Sequence, residues 1–208
     1  MTGLPRRLVR FAFGLLYGPL APIYDWVSRT FFLGQWALWQ QAALEFVEGR
    51  VLELGSGTGA LQLVAIERGL DWTAVERSPQ MIAQARRRFR QAGVTARLVQ
   101  ADAGALPIQA ASVDCVVSTF PSEYILAAVV HREIDRVLRP EGVIIIVLAG
   151  VIRPEGPIGA ALDWLHRLVS GEAPDRPLLA GPSGFRWSTR WVASPRGRAL
   201  VLLGRHSR

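Results

Sequence analysis

The chain has no lysine, no asparagine and a single cysteine among its 208 residues. One thiol, Cys115, excludes an internal disulfide framework and suits a reducing compartment. No uninterrupted apolar run reaches ~18 residues, which argues against a spanning helix. There is no internal repeat and no low-complexity tract. With lysine absent, all 24 basic residues are arginine, and against 17 acids they leave a formal charge of +7. That balance favours an anionic partner: lipid headgroups, nucleic acid or phosphorylated metabolites. The length suits one domain plus an extension. A domain of this size buries ~70% of its unfolded surface and needs neither disulfide nor metal to fold.

Residues 1–48 read as a helical extension and 49–208 as the domain. The segment "PRRLVRFAFGLLYGPLAPIYDWV" opens on Arg6, Arg7 and Arg10 and then turns apolar and aromatic. It has the outline of a signal peptide ending at "PLA", which the cytosolic cofactor implied below disfavours. Two readings remain. One is a helix packed on the domain. The other is an interfacial anchor, with arginines at the headgroups and Phe11, Phe13, Leu15 and Leu16 below them. Gly18-Pro19 and Ala21-Pro22 break any helix there. In "QWALWQQAALEFVEG", Trp36, Trp39, Ala43, Leu44 and Val47 fall on one helical face.

Strands and helices then alternate. The pattern predicts a strand over 50–54, a helix over 59–68 stopped by Gly69, and a strand over 72–76. Ser78-Pro79 starts the next helix as a hydroxyl N-cap followed by proline, and Gly93 ends it. "ARLVQA" and "VDCVVS" are the third and fourth strands. A helix is predicted from about Ser122 to Leu138, cut off by "RPEG", and "VIIIVLA" is a fifth strand, apolar on both faces as in the middle of a parallel sheet. A helix over 158–170 and a Pro/Gly-rich loop follow. "FRWSTRWVA" and "RALVLL" then form an antiparallel pair, with Phe185, Trp187, Thr189 and Trp191 on one face. The fold class is α/β: a Rossmann-like, doubly wound, seven-stranded sheet with a C-terminal antiparallel hairpin and an N-terminal helical extension.

The loop "GSGTGA", Gly55 to Ala60, follows a strand and opens a helix. Its bare backbone admits a ligand, and the helix start favours an oxygen-rich or anionic group. The spacing also fits a dinucleotide site. Three acids turn the argument. Glu53 sits two residues before the first glycine and suits an ammonium group, directly or through water. Glu76 ends the second strand, placed to accept bonds from two ribose hydroxyls. Asp102, in "VQADAGALP", is placed to meet an adenine amino group. A ligand with an ammonium, a ribose and an adenine but no pyrophosphate is S-adenosylmethionine.

Over residues 48–150 the ordered motifs "VLELGSGTG", "AVERSPQMIAQAR", "QADAGALP", "VDCVVSTFPSEYI" and "RVLRPEGVIIIV" resemble a class I S-adenosylmethionine-dependent methyltransferase. The resemblance implies that Glu53, Gly55, Ser56, Gly57 and Gly59 line the amino-acid end of the cofactor. Glu76 would hold the ribose, Arg77 and Met81 would flank the adenine, and Asp102 with Ala103 would contact the base edge. Ser118 and Thr119, within the stretch Ser118 to Pro121, would face the transferred methyl. Met81 reads equally well as a core residue.

The segment "IYDWVSRTFFLGQW" is similar to ubiquinone/menaquinone C-methyltransferases and bacterial phosphatidylethanolamine N-methyltransferases. By that resemblance Tyr24 would close over the sulfonium. Tyr24, Glu123, Tyr124 and His131 are the candidates for handling an acceptor proton, with His131 reading mainly as structural. Without asparagine, the Asn-Pro-Pro-Tyr signature for exocyclic base amines cannot occur. Cys115 lacks the following proline of cytosine-C5 enzymes and reads as a core thiol. No acidic cluster has metal-ligand spacing. The expected acceptor is a membrane-associated lipid, a phosphatidylethanolamine-type amine ahead of a prenylated quinone, with a soluble metabolite as the alternative. Peripheral association with the cytoplasmic face of an anionic membrane goes with that expectation. A nucleic-acid-binding protein on the same scaffold is a lesser alternative, and a nicotinamide oxidoreductase lacks its second nucleotide-binding half.

Overall fold

The computed structural model describes residues 35–152, 184–195 and 197–206. The N-terminal segment with Tyr24 and the helix expected over 158–170 lie outside these residues. Helix α1 (Gln35–Gln41) runs into a short 3-10 turn, Ala42–Glu45. Strand β1 (Arg50–Leu54), helix α2 (Ala60–Glu67) and strand β2 (Asp71–Glu76) follow. Helix α3 (Pro79–Ala92) leads to β3 (Arg97–Gln100) and β4 (Val113–Thr119). A second 3-10 turn, Glu123–Leu126, precedes α4 (Ala128–Val137). The chain then enters β5 (Leu138–Ile152), and β6 (Phe185–Ser194) and β7 (Gly197–His206) complete the sheet.

The strand order is β3-β2-β1-β4-β5-β7-β6. Strands β3 through β5 are parallel, and β7 runs antiparallel between β5 and β6. From β1 the chain winds outward to β3 and then returns to β4 on the other side of β1. The loops leaving β1 and β4 therefore diverge, and a crevice opens at their C-terminal ends.

The sheet is covered on both faces because its central strands are apolar at consecutive positions. On one side Trp39, Ala43, Leu61, Ala65 and Trp72 pack on Val51, Cys115, Val117, Ile145 and Val147. On the other, Ile125, Val130 and Ile134 pack on Leu52, Leu54, Val116, Ile144 and Ile146. The residues expected on one helical face do pack together, Trp39 and Ala43 fully buried with Trp36, Leu44 and Val47 beside them, but α1 ends at Gln41, so Ala43 and Leu44 lie in the 3-10 turn and Val47 beyond it. Cys115 is a core thiol, its Sγ in contact with the Glu48 carbonyl at 3.3 Å, and burial raises its pKa.

Three expectations are corrected. The helix expected from Ser122 is two pieces, because Ala127 adopts an extended conformation with φ −73° and ψ 131°. The His131 ring Nε2 lies 2.6 Å from the Ile125 carbonyl and ties the two pieces together. Strand β5 begins earlier than "VIIIVLA". Leu138 pairs with Val113, and a register shift precedes the pairing of Val143 with Cys115. This strand is parallel to β4 but antiparallel to β7, so it joins the two halves of a mixed sheet. On β6 the inward face changes along the strand. Phe185 is buried and Trp187 half-buried, but Trp191 is 42% exposed beneath the Arg198 guanidinium, and Val192 is buried instead. An edge strand with cores on both faces is covered by one layer at one end and by the other layer at its far end.

Among the described residues, no helix is long and apolar enough to cross a membrane.

Candidate active site

The crevice beside β1 and β4 has a volume of about 510 Å³, within the range of small-molecule sites. Its floor and one wall are Gly55, Val75, Glu76, Arg77, Ser78 and Ala101 to Ala103, and its opposite wall is Thr119 to Ser122 with Tyr124.

Glu76 is placed by the last residue of β2. The Gly57 N–H donates to its Oε2 and the Ser78 N–H to its Oε1, both at 2.8 Å. One carboxylate thus fixes the glycine loop and the start of α3 together. Each oxygen keeps a lone pair for a ligand hydroxyl. Ser78 also caps α3, accepting from the Met81 N–H at 3.3 Å.

The loop itself turns through three glycines of positive φ, at 55, 57 and 59. These have different jobs. At Gly59 an added Cβ would lie 2.5 Å from the Phe89 ring, so this position lets α2 and α3 close together. At Gly57 nothing among the described residues lies within 4 Å of an added Cβ, and the backbone there is open to them. Ser56 is buried, and among the described residues its Oγ has no hydrogen-bond partner, a polar atom awaiting one.

At Gly55 an added Cβ would lie 2.8 Å from the Tyr124 hydroxyl. Tyr124 Oη donates to the Leu54 carbonyl at 3.1 Å and lies 2.8 Å from Ser118 Oγ. Ser118 Oγ contacts the same carbonyl at 3.1 Å.

Asp102 belongs to a tight turn in which its Oδ1 accepts from the Gly104 N–H at 2.8 Å, and its Oδ2 lies 3.5 Å from Arg77 Nη1. The rest of this loop is held from behind. Glu133 accepts from the Leu106 N–H at 2.7 Å, and Arg136 donates to the carbonyls of Ile108 and Leu106 at 2.8 and 2.9 Å. The Arg136 guanidinium keeps the Glu133 carboxyl below its ordinary pKa. This clamp was not found from sequence; the i, i+3 acid–base spacing of "EIDR" was the available signal.

Of the residues expected in the site, the crevice walls take in Gly55, Glu76, Arg77, Asp102, Ala103, Thr119 and Tyr124. They leave out Gly57, Gly59 and Ser56. Met81 is fully buried and belongs to the core face of α3. Ser118 is buried beneath Tyr124, and Glu123 is exposed outside the walls. Glu53 is not among the crevice walls either. It is 1% exposed, lies behind the loop, and accepts a 2.9 Å hydrogen bond from the Trp72 indole N–H. Burial, with the nearby Glu76 charge adding to it, raises its pKa to about 7, against the opposing pull of Trp72. Among the described residues there is no group of three or more His, Cys, Asp or Glu that could hold a metal ion.

Comparison with known proteins agrees with this geometry. Residues 52–146 match the family model of a methyltransferase domain. The chain is 32% identical over 174 residues to the demethylmenaquinone methyltransferase of Thermus thermophilus, covering 75% of this chain and 77% of that one. The chain therefore belongs to the class I S-adenosylmethionine-dependent methyltransferases, and S-adenosylmethionine is its cofactor. Within that class it is also similar to the ubiquinone/menaquinone biosynthesis C-methyltransferase of Syntrophotalea carbinolica, with 29% identity over 71% of this chain and 64% of the relative. In fold it resembles an S-adenosylmethionine-dependent methyltransferase structure from Methanococcus maripaludis, with a TM-score of 0.59 at 19% identity over 89% and 93% of the two chains.

The crevice and the glycine loop beside it fit this cofactor on their own terms: an open backbone at Gly57 and, among the described residues, an unpartnered Ser56 hydroxyl in the loop, and the Glu76 carboxylate with lone pairs left for a ligand in the crevice wall.

Proposed function

We propose that the enzyme methylates a lipophilic quinol-type acceptor, with Glu76 holding the cofactor ribose, Asp102 and Ala103 the adenine edge, and the Gly55 turn the amino-acid end. The carrying observation is the division of the crevice. Its acids, Glu76 and Asp102, lie at the β2–β3 end. The β4 wall is Thr119, Phe120, Pro121, Ser122 and Tyr124, without a carboxylate or imidazole among the described residues. Such a wall suits a flat, weakly polar acceptor better than a cationic amine headgroup. The activities of the two quinone methyltransferase relatives point the same way. They move the preference from the phosphatidylethanolamine-type amine to the quinone alternative.

When bound, S-adenosylmethionine would supply an electrophilic methyl with a neutral thioether as leaving group, the acceptor ring carbon giving up its proton to solvent in exchange. The chain's own part is alignment and exclusion of water. Tyr124, fixed to Leu54 and Ser118, orients the acceptor at the amino-acid end of the cofactor. In this reading the arginine-rich start of the chain meets an anionic membrane surface, where such an acceptor resides.

The test is incubation with methyl-labelled cofactor and two substrates in separate vesicles: a reduced demethylated naphthoquinone and phosphatidylethanolamine. Label in the quinone is the expected result. Label in the phospholipid alone, or only in water-soluble products of a total extract, overturns the assignment.

A further inference from the structure

We propose that the Phe120 ring is a stacking platform that makes the enzyme select a planar ring as its methyl acceptor; this rests on the methyltransferase assignment and deepens the quinol reading of the same crevice. Phe120 is the first residue beyond β4, at the point where the strand order reverses and where ligands of such sheets bind. Its φ is +48°, in the left-handed region. For a bulky side chain this is an outlier that persists only when the surroundings impose it.

Two contacts impose it. The Phe120 N–H donates to the Val147 carbonyl at 2.8 Å. The ring stacks on Trp36 with centroids 4.0 Å apart and planes at 24°, while Trp39 lies tilted at 6.4 Å. Trp36 thus covers one side of the ring, Phe120 also packs against the core cluster that holds Trp39 and Val147, and the half-buried residue lines the crevice wall between Thr119 and Pro121 and close to Tyr124.

A residue that only filled the core would need no left-handed backbone, and glycine would serve the turn at lower strain. The strain is explained if the ring has to stand in that orientation. An aromatic face backed by a second aromatic is a surface for another flat ring, and its neighbours on this wall offer hydroxyls and a proline rather than charge. Recognition at this end then runs on shape and π-stacking, while the charged contacts stay with the cofactor's nucleoside end.

The experiment measures binding to protein saturated with S-adenosylhomocysteine. A short-chain 1,4-naphthoquinone and its ring-saturated analogue are titrated in turn, followed by calorimetry. The wild type is expected to prefer the planar compound by roughly three- to tenfold, the size of an aromatic stacking contribution. Phe120→Leu, which keeps apolar bulk, should lose that preference, and Phe120→Tyr should keep it. Phe120→Gly, whose backbone accepts positive φ, should bind both compounds alike while retaining the wild-type circular dichroism. Equal binding of the two compounds by the wild type, or an undiminished preference in Phe120→Leu, overturns the platform. The turnover assay above is independent of this one. A planar preference without a methylated quinone refutes the acceptor assignment and leaves the platform standing.

Discussion

Glu53 makes the enzyme's stability depend on pH in a direction opposite to that of a salt-bridged acid. Its carboxyl is fully buried, and its pKa is raised from the ordinary 4.5 to about 7. Below pH 4.5 the folded and unfolded chains both hold the proton, and the full stability is present. Between 4.5 and about 7 the unfolded chain releases the proton while the folded chain keeps it, so stability falls as pH rises. Above about 7 the loss is complete. A shift of this size corresponds to about 3 kcal/mol. Glu53→Gln keeps an acceptor for the Trp72 indole and removes the titration. In urea unfolding followed by circular dichroism from pH 4 to 8, the variant should come within about 1 kcal/mol of the wild type at pH 5 and below, and exceed it by about 3 kcal/mol at pH 8. A cofactor that brings its positive charge near Glu53 should also draw off this proton. Calorimetry at pH 7 in two buffers of different ionisation enthalpy should therefore register proton release for the wild type and none for Glu53→Gln. Parallel stability profiles of the two proteins between pH 5 and 8 would refute the reasoning, because they would mean that the buried carboxyl titrates as it does in the unfolded chain.

Glu76→Gln replaces one acceptor of the Gly57 and Ser78 amides by an N–H2 donor. It should weaken S-adenosylhomocysteine binding by roughly ten- to a hundredfold, the scale of a hydrogen bond to a charged group, as read by titration calorimetry; unchanged affinity would place the ribose elsewhere. Gly59→Ala combines a left-handed Cβ with a clash on Phe89 and should cost about 2–4 kcal/mol. Gly57→Ala meets open space and should cost only the backbone part, about 1–2 kcal/mol. Thermal unfolding that ranks these two variants the other way would contradict the assignment of Gly59 to helix packing.

Much of the sheet was legible because its signals are local. The bounds of β1 and the Ser78 and Gly93 limits of α3 follow from hydrophobic runs, a capping hydroxyl, a proline and a left-handed glycine. These act within a few residues of themselves and need no partner. The break at Ala127 was not legible, because His131 and Tyr124 make it by bonding to the Ile125 and Leu54 carbonyls. The face change on β6 was hidden for the same reason. Alternation tells which residues share a side of a strand, and only the packed layers tell which side is covered at each end.

The site divides in the same way. Sequence alone determined that a glycine turn follows β1 and that acids stand near the ends of the first three parallel strands, since order along the chain fixes which strand ends on which residue. It also determined the class of the enzyme through the ordered motifs. Only the tertiary structure decided that these acids are not equivalent: Glu76 faces the crevice, Asp102 is tied to Arg77 and its own turn, and Glu53 is sealed behind the loop with Trp72. It alone placed Tyr124 over Gly55 and turned Phe120 into the wall. A strand's alternation points successive side chains to opposite faces, but which face meets ligand and which meets core depends on helices and loops far away in the chain.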